Sequence, residues 1–295
     1  MKNLVLTMKA CNRADYFQKS LASIAACTGV ENWKIIVGLE PTAAADEHIE
    51  IATDLKKSHN LDITIYLHDK RQGCAGNARF CLEKGFEESD FVLHTEDDIV
   101  LSKGTLQYFE KLMPIYDEDS NMFAVCSFNR NVWAEQYPLQ KPASFPQIGS
   151  DNSKLYLRRW FEMGGTFMLC RREWESILNK GGMYGVMGEC DQDRTGVNWK
   201  SELQVTDWGS WGWTFNKHFR EDKYCLFPVT SRTQNIGSIP FPYSTFNPSE
   251  KFHKKCIYDS TWIGNEGCKE DGYQVLDEFI FADPQAGTAW LKDTL

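Results

Sequence analysis

Four short apolar runs alternate with helix-length amphipathic stretches over the first ~110 residues, and this alternation constrains the fold more than any other feature. Leu4-Val5-Leu6 reads as a buried strand, followed by a helix from Ala14 to Ala26 with Phe17, Leu21 and Ile24 on one face. Trp33 to Leu39 and Ile63 to Leu67 are further strands, separated by a helix from Asp46 to Lys57. A third helix, Ala75 to Gly85, leads into a fourth strand, Asp90 to Leu93. Strands joined by helices of this length form βαβ units and a mainly parallel sheet. In such sheets ligands bind outside the carboxyl ends of the strands. Glu40, Asp69 and the triplet Glu96-Asp97-Asp98 all fall at those ends.

The triplet is the residue group most in need of an explanation. It sits between Phe91-Val92-Leu93-His94-Thr95 and Ile99-Val100-Leu101, in an apolar setting. Buried carboxylates cost several kcal/mol unless they are paired, protonated or bound to a metal. Magnesium and manganese take one or two protein carboxylates and complete their shell with phosphate and water. An exposed acidic turn is the simpler alternative for three acids considered alone.

Beyond residue 104 the pattern is less regular. A helix from Thr105 should stop at Met113, before Pro114. Met122 to Phe128, Phe161 to Cys170 and Tyr224 to Phe227 read as strands, Arg172 to Leu178 and Asp207 to Phe219 as helices. The Pro-rich stretch from Asn129 to Lys154 and most of Ser231 to Tyr273 read as loop. The expected organisation is a regular α/β half over 1–115, a less regular half of the same domain over 116–240, and a lid and tail over 241–295.

Several classes are disfavoured. A net charge of −9 argues against a broad basic face for nucleic acid. The ten cysteines include no C-x-x-C, so a zinc knuckle is not expected, and Cys126, Cys170 and Cys225 read as reduced core residues. No signal-peptide pattern and no membrane-spanning apolar run is found, so a cytoplasmic location is expected. Gly-rich phosphate loops, G-x-S-x-G and H-E-x-x-H are absent.

The order of motifs carries a resemblance. Thr7 ending the first strand, then Cys11-Asn12-Arg13, Glu40, Gly76-Asn77-Ala78-Arg79 and Glu96-Asp97-Asp98 together resemble a GT-A glycosyltransferase. The Glu-Asp-Asp form, with the later segment Pro228-Val229-Thr230-Ser231-Arg232-Thr233, is similar to the inverting N-acetylglucosaminyltransferase I type. Asn235-Ile236-Gly237 is similar to bacterial sugar transferases. The resemblance spans about residues 1 to 240. It implies a GT-A fold, a nucleotide-sugar donor of the UDP-sugar kind, Mn²⁺ or Mg²⁺, and a saccharide or other hydroxyl acceptor. It puts Asp98 on the metal, with His253 as a second candidate ligand. Asp97 and Glu96 would face the ribose or the metal's water, and Thr7, Arg13, Glu40, Asn77, Arg79 and Arg232 would lie on the donor side. A general base is expected at Asp207, with Asp191 and Asp193 as rivals, although Asp207 precedes the first Trp of its segment where the family has its acids between two. Residues from Ser231 to about Gly267 would close over the donor.

Two other enzyme readings stay open. A nucleotidyltransferase would use a similar sheet and metal but normally shows a Gly-rich N-terminal loop. A phage-type transferase acting on hydroxymethylated DNA bases also fits, against the weight of the acidic charge. A noncatalytic sugar- or nucleotide-binding protein is the third class.

Overall fold

The computed structural model describes residues 4–127, 156–159, 166–179, 223–228 and 232–236. The first half alternates as the sequence requires: β1 (Leu4–Ala10), α1 (Ala14–Ala25), β2 (Trp33–Leu39), α2 (Ala45–His59), β3 (Asp62–Leu67), α3 (Gly73–Glu88) and β4 (Phe91–Glu96). Then follow β5 (Ile99–Leu101), α4 (Thr105–Glu118), β6 (Met122–Cys126), β7 (Tyr156–Arg159), β8 (Phe167–Cys170), α5 (Arg171–Asn179), β9 (Tyr224–Pro228) and β10 (Thr233–Asn235).

Eight strands form one mixed sheet in the order β3-β2-β1-β4-β8-β6-β9-β7. The first four are mutually parallel; β8 runs against both β4 and β6, and β7 against β9. Six strands therefore point one way, and only β7 and β8 reverse. From β1 the chain builds outward through β2 to β3, then crosses back to place β4 on the other side of β1. That reversal opens a crevice between the carboxyl ends of β1 and β4, where an open α/β sheet binds its ligands.

Strand side chains alternate between two cores because successive Cβ atoms point to opposite faces. On one face Leu6, Met8, Ile35, Val37, Phe91 and Leu93 pack with α1, α2 and α4. On the other, Val92, Phe123, Phe167 and Leu169 pack with Ala78, Leu82 and Phe86 of α3 and Trp174 of α5. Phe86 and Trp174 stack at 5.5 Å between centroids, 10° from parallel. Among the described residues no helix is long and apolar enough to cross a membrane.

Two expectations are corrected. Helix α4 runs through Pro114 to Glu118. The exposed ring costs one hydrogen bond, but Leu112, Met113 and Tyr116 are buried on the opposite side, and their packing outweighs the lost bond. Within the segment from Ser231, expected to be mostly loop, β10 pairs antiparallel with β5 in a separate two-stranded sheet. Strand β1 continues to Ala10, so Thr7 lies in its middle rather than at its end. The expected helix from Asp207 lies outside the described residues.

Close packing of α3 onto β2 demands Gly38. A Cβ there would collide with Asn77 Oδ1 and lie 2.7 Å from Cys81 Sγ. Gly38→Ala should therefore destabilise the fold by about 1–3 kcal/mol, the usual cost of overpacking, read as a lower denaturant midpoint at unchanged m-value.

Candidate active site at the β1–β4 crevice

The in-register pairing of β1 with β4 places Lys9 opposite Glu96. The Lys9 ammonium reaches Glu96 Oε1 at 3.2 Å. Past the strand ends, Arg13 at the entry to α1 spans the other two acids. Its Nη2 lies 2.5 Å from Asp97 Oδ1 and its Nη1 3.0 Å from Asp98 Oδ2. The Cys11 N–H donates to Asp97 Oδ2 at 3.3 Å. Three adjacent carboxylates thus face two cations delivered by β1 and its following loop. With all three ionised, one negative charge stays uncompensated.

Burial dominates the electrostatics. It raises the carboxyls of Glu96 and Asp97 above their ordinary values, against the opposing pull of Lys9 and Arg13 respectively. Lys9 and Arg13 are held above their ordinary values by the acids and, for Lys9, by Cys74, despite desolvation. Asp98 is fully buried, and among the described residues its Oδ1 has no hydrogen-bond partner. An ionised oxygen in that position is costly unless a cation meets it.

The turn carrying the acids is clamped from two sides. Ser20 on α1 donates to the Ile99 carbonyl at 2.5 Å and the Glu96 carbonyl at 3.3 Å, and Ser23 accepts the Leu101 N–H. From the other side, the Ile236 N–H donates to the Asp98 carbonyl at 2.8 Å, where β10 runs along β5. The late Arg232-Thr233 segment, linked to the triplet only by motif order in the sequence, is thereby stitched to the residues that follow it.

Glu40 closes the crevice at the end of β2. It is buried, and its Oε2 accepts the Gln72 N–H at the start of α3. Among the described residues its Oε1 has no hydrogen-bond partner. Burial raises the Glu40 carboxyl above 4.5, while the N–H groups of Gln72 and Gly73 and the charges of His68 and Arg71 work against this. Cys11 feels the same group of charges: its thiol is pushed up to about 11, first by burial and then by Glu40 and Asp97.

The other donor-side candidates are placed differently. Asn77 donates to the carbonyls of Ala10 and Gly38 and meets His68 Nε2 with its own oxygen, bracing the ends of β1 and β2. Arg79 pairs with Glu83 one turn along α3. Thr7 is buried with its hydroxyl 2.9 Å from His94 Nδ1. Arg232 is buried beside α4, its guanidinium carbon 5.9 Å from the Tyr108 ring centre. Arg13, Glu40, Glu96, Asp97 and Asp98 are therefore gathered at one crevice; Thr7 and Arg232 point into the interior. Asp191, Asp193, Asp207 and His253 lie outside the described residues. Lys9, Ser20 and Ser23 are site-building residues that motif reading passed over. Their signals were a cation inside an apolar strand and two hydroxyls near the apolar stripe of α1.

Among the described residues no three His, Cys, Asp or Glu side chains form a metal cage. A magnesium- or manganese-type ion does not require one, because phosphate and water supply most of its ligands. The unpartnered, buried Oδ1 of Asp98 suits such an ion.

Neither a family model nor a curated protein matches the chain. Solved structures do. Staphylococcus aureus TarS 1–349 in complex with UDP aligns with a TM-score of 0.50 and 12% identity, over 79% of this chain and 60% of that one. The mannosyltransferase PcManGT of Pyrobaculum calidifontis, in complex with GDP-Man and Mn²⁺, aligns at 0.43 and 16%, over 59% and 46%. Glucosyl-3-phosphoglycerate synthase of Mycobacterium tuberculosis, with Mn²⁺, UDP and phosphoglyceric acid, aligns at 0.36 and 13%, over 60% and 58%. The chain spans about half to three-fifths of the length of these structures. The TarS likeness establishes the architecture: the α/β sheet is of the GT-A kind.

Two outcomes follow. Arg13→Met leaves Asp97 and Asp98 without their cation and should cost about 3–5 kcal/mol, the penalty for stripping one partner from a buried pair, seen in equilibrium unfolding. For Glu40 the folded carboxyl titrates above the unfolded one, so the native state binds the extra proton and wild-type stability falls as pH rises through that window. Glu40→Gln removes this term. Its stability relative to wild type should rise as pH climbs from 4.5 and level off once the folded Glu40 carboxyl has lost its proton, in unfolding curves taken across the titration.

Proposed function

We propose that this chain is a metal-dependent glycosyltransferase that moves a sugar from a UDP-sugar to a hydroxyl acceptor with inversion. The observation that carries the reading is Asp98, fully buried at the carboxyl end of β4 with Oδ1 unpartnered among the described residues, beside the switch point of a GT-A sheet. A purely structural acid would have its oxygens satisfied, as most buried polar groups do.

Asp98 would hold Mn²⁺ or Mg²⁺ through Oδ1. When bound, the ion supplies Lewis-acid neutralisation of the departing diphosphate. Asp97, oriented by Arg13 and the Cys11 N–H, presents a fixed carboxylate at the crevice for a ribose hydroxyl. Glu40, anchored through one oxygen to the start of α3, offers its other oxygen to a hydroxyl or N–H of the nucleoside. Lys9 keeps Glu96 paired, so the first acid of the triplet supports the turn rather than the ion. An inverting reaction also needs a base for the acceptor hydroxyl, since charge develops at the anomeric carbon as that oxygen attacks. The family resemblance assigns it to Asp207, ahead of Asp191 and Asp193. The TarS structure that shares this sheet holds UDP, which makes UDP-sugars the first donors to screen.

The test is release of UDP from a panel of UDP-sugars, with and without Mn²⁺. Turnover should require the ion. Asp98→Asn should lower it by more than the ~10–100-fold that losing an outer-shell metal partner costs, while Arg79→Gln changes it little. Metal-independent turnover, or full activity in Asp98→Asn, would overturn the reading.

A further inference from the structure

Lys9 has a second neighbour besides Glu96. Its Nζ lies 2.6 Å from Cys74 Sγ, in the first turn of α3. The hydrogen-bond contacts of two buried cysteines are much longer: Cys27 Sγ to the carbonyls of Ser102 and Ser23 at 3.3 and 3.4 Å, and Cys81 Sγ to the Met8 carbonyl and Asn77 Oδ1 at 3.4 and 3.6 Å. The Lys9 pair is closer than sulfur and nitrogen approach through a shared hydrogen alone. It matches two atoms joined through one small intervening atom.

The pair also stands apart in access. Among the described cysteines Cys74 is the exposed one. Cys27 and Cys81 are buried with thiols pushed up to about 12, and Cys11 to about 11, which keeps them protonated and inert. Cys74 instead is exposed in the first turn of α3, with an ammonium against its sulfur.

We propose that Lys9 and Cys74 form a reversible oxidative crosslink in which a single oxygen atom bridges Nζ and Sγ. The oxidant is dioxygen or a peroxide. With dioxygen, the amine and thiol together bring three hydrogens. One oxygen atom inserts between nitrogen and sulfur, the other leaves as water with two of the hydrogens, and one N–H remains. Nitrogen and sulfur each give up two electrons, which reduces both oxygen atoms. Two equivalents of hydrogen peroxide achieve the same change and leave three waters. Two equivalents of a dithiol reverse it, returning amine and thiol, releasing the bridging oxygen as water and leaving two cyclic disulfides. The first oxidation belongs to ordinary cysteine chemistry; the neighbouring amine diverts it from higher sulfur acids.

The position gives the crosslink a consequence. Lys9 is the cation paired with Glu96. Bridging consumes its ammonium, so oxidation at the exposed Cys74 strips a counter-ion from the acidic turn. This assignment stands on the Lys9–Cys74 geometry and does not depend on the glycosyltransferase reading.

The experiment is intact-mass and peptide mass spectrometry of the full chain after exposure to air or hydrogen peroxide, with and without dithiothreitol. The oxidised chain should gain one oxygen and lose two hydrogens. Digestion should yield a linked pair of peptides containing Lys9 and Cys74, which dithiothreitol separates. Cys74→Ser, at an exposed position that leaves the cores intact, and Lys9→Arg should both lack the product. A Cys74 sulfinic or sulfonic acid beside a free Lys9 amine would overturn the proposal. So would a direct nitrogen–sulfur link without oxygen, the same mass change in Lys9→Arg, or no reaction at all.

Discussion

Everything at the crevice depends on neutralising three consecutive carboxylates inside a protein. Half-buried Glu96 and buried Asp97 and Asp98 could not sit together there without cations, since each ionised carboxylate loses several kcal/mol of hydration on entering the interior. Strand β1 and the loop behind it supply those cations, Lys9 to Glu96 and Arg13 to the two aspartates. The arrangement works only because β4 returns to lie directly beside β1, in the register that sets Lys9 across from Glu96. A slip of one residue would turn Lys9 toward the opposite face.

That charge arrangement is supported by groups that carry no charge. Ser20 and Ser23 hold the turn from α1, and the β5–β10 ladder holds it from a segment more than 130 residues later. Asn77 ties the carbonyls of Ala10 and Gly38, fixing the ends of β1 and β2 relative to each other. Glu40 then joins β2 to the start of α3. Side chains fixed by such partners hold their geometry before any ligand arrives, which is the condition for electrostatic preorganisation.

The first half of the fold was legible because its elements are local. A period of 3.6 or 2 in hydrophobicity is written into 10–15 neighbouring residues, and β1 to β4 with α1 to α3 emerge within a few residues of expectation. Legibility failed where the deciding partner is distant. Pro114 forecasts a helix end, yet the buried face of α4 carries the helix past it. The three residues of β10 have no strand pattern of their own and become a strand only against β5. Thr7 and Arg232 both fit the motif order, but their side chains turn into the interior, a matter of strand phase and packing that motif order does not encode.

By itself the sequence determined the layer architecture and the strand ends at which Glu40 and the triplet had to fall. Those depend on local periodicity and on the general rule that parallel strands share one functional edge. Tertiary structure alone decided which acids are paired and which oxygens are left over. Lys9 takes Glu96, Arg13 takes Asp97 and Asp98, and Asp98 Oδ1 and Glu40 Oε1 are buried with no partner among the described residues. It also set the ammonium of Lys9 against the thiol of Cys74, 65 residues away in the chain. The physical reason is the same in each case. Ion pairing and hydrogen bonding are set by distances of a few ångströms between side chains, and those distances exist only after the sheet has assembled.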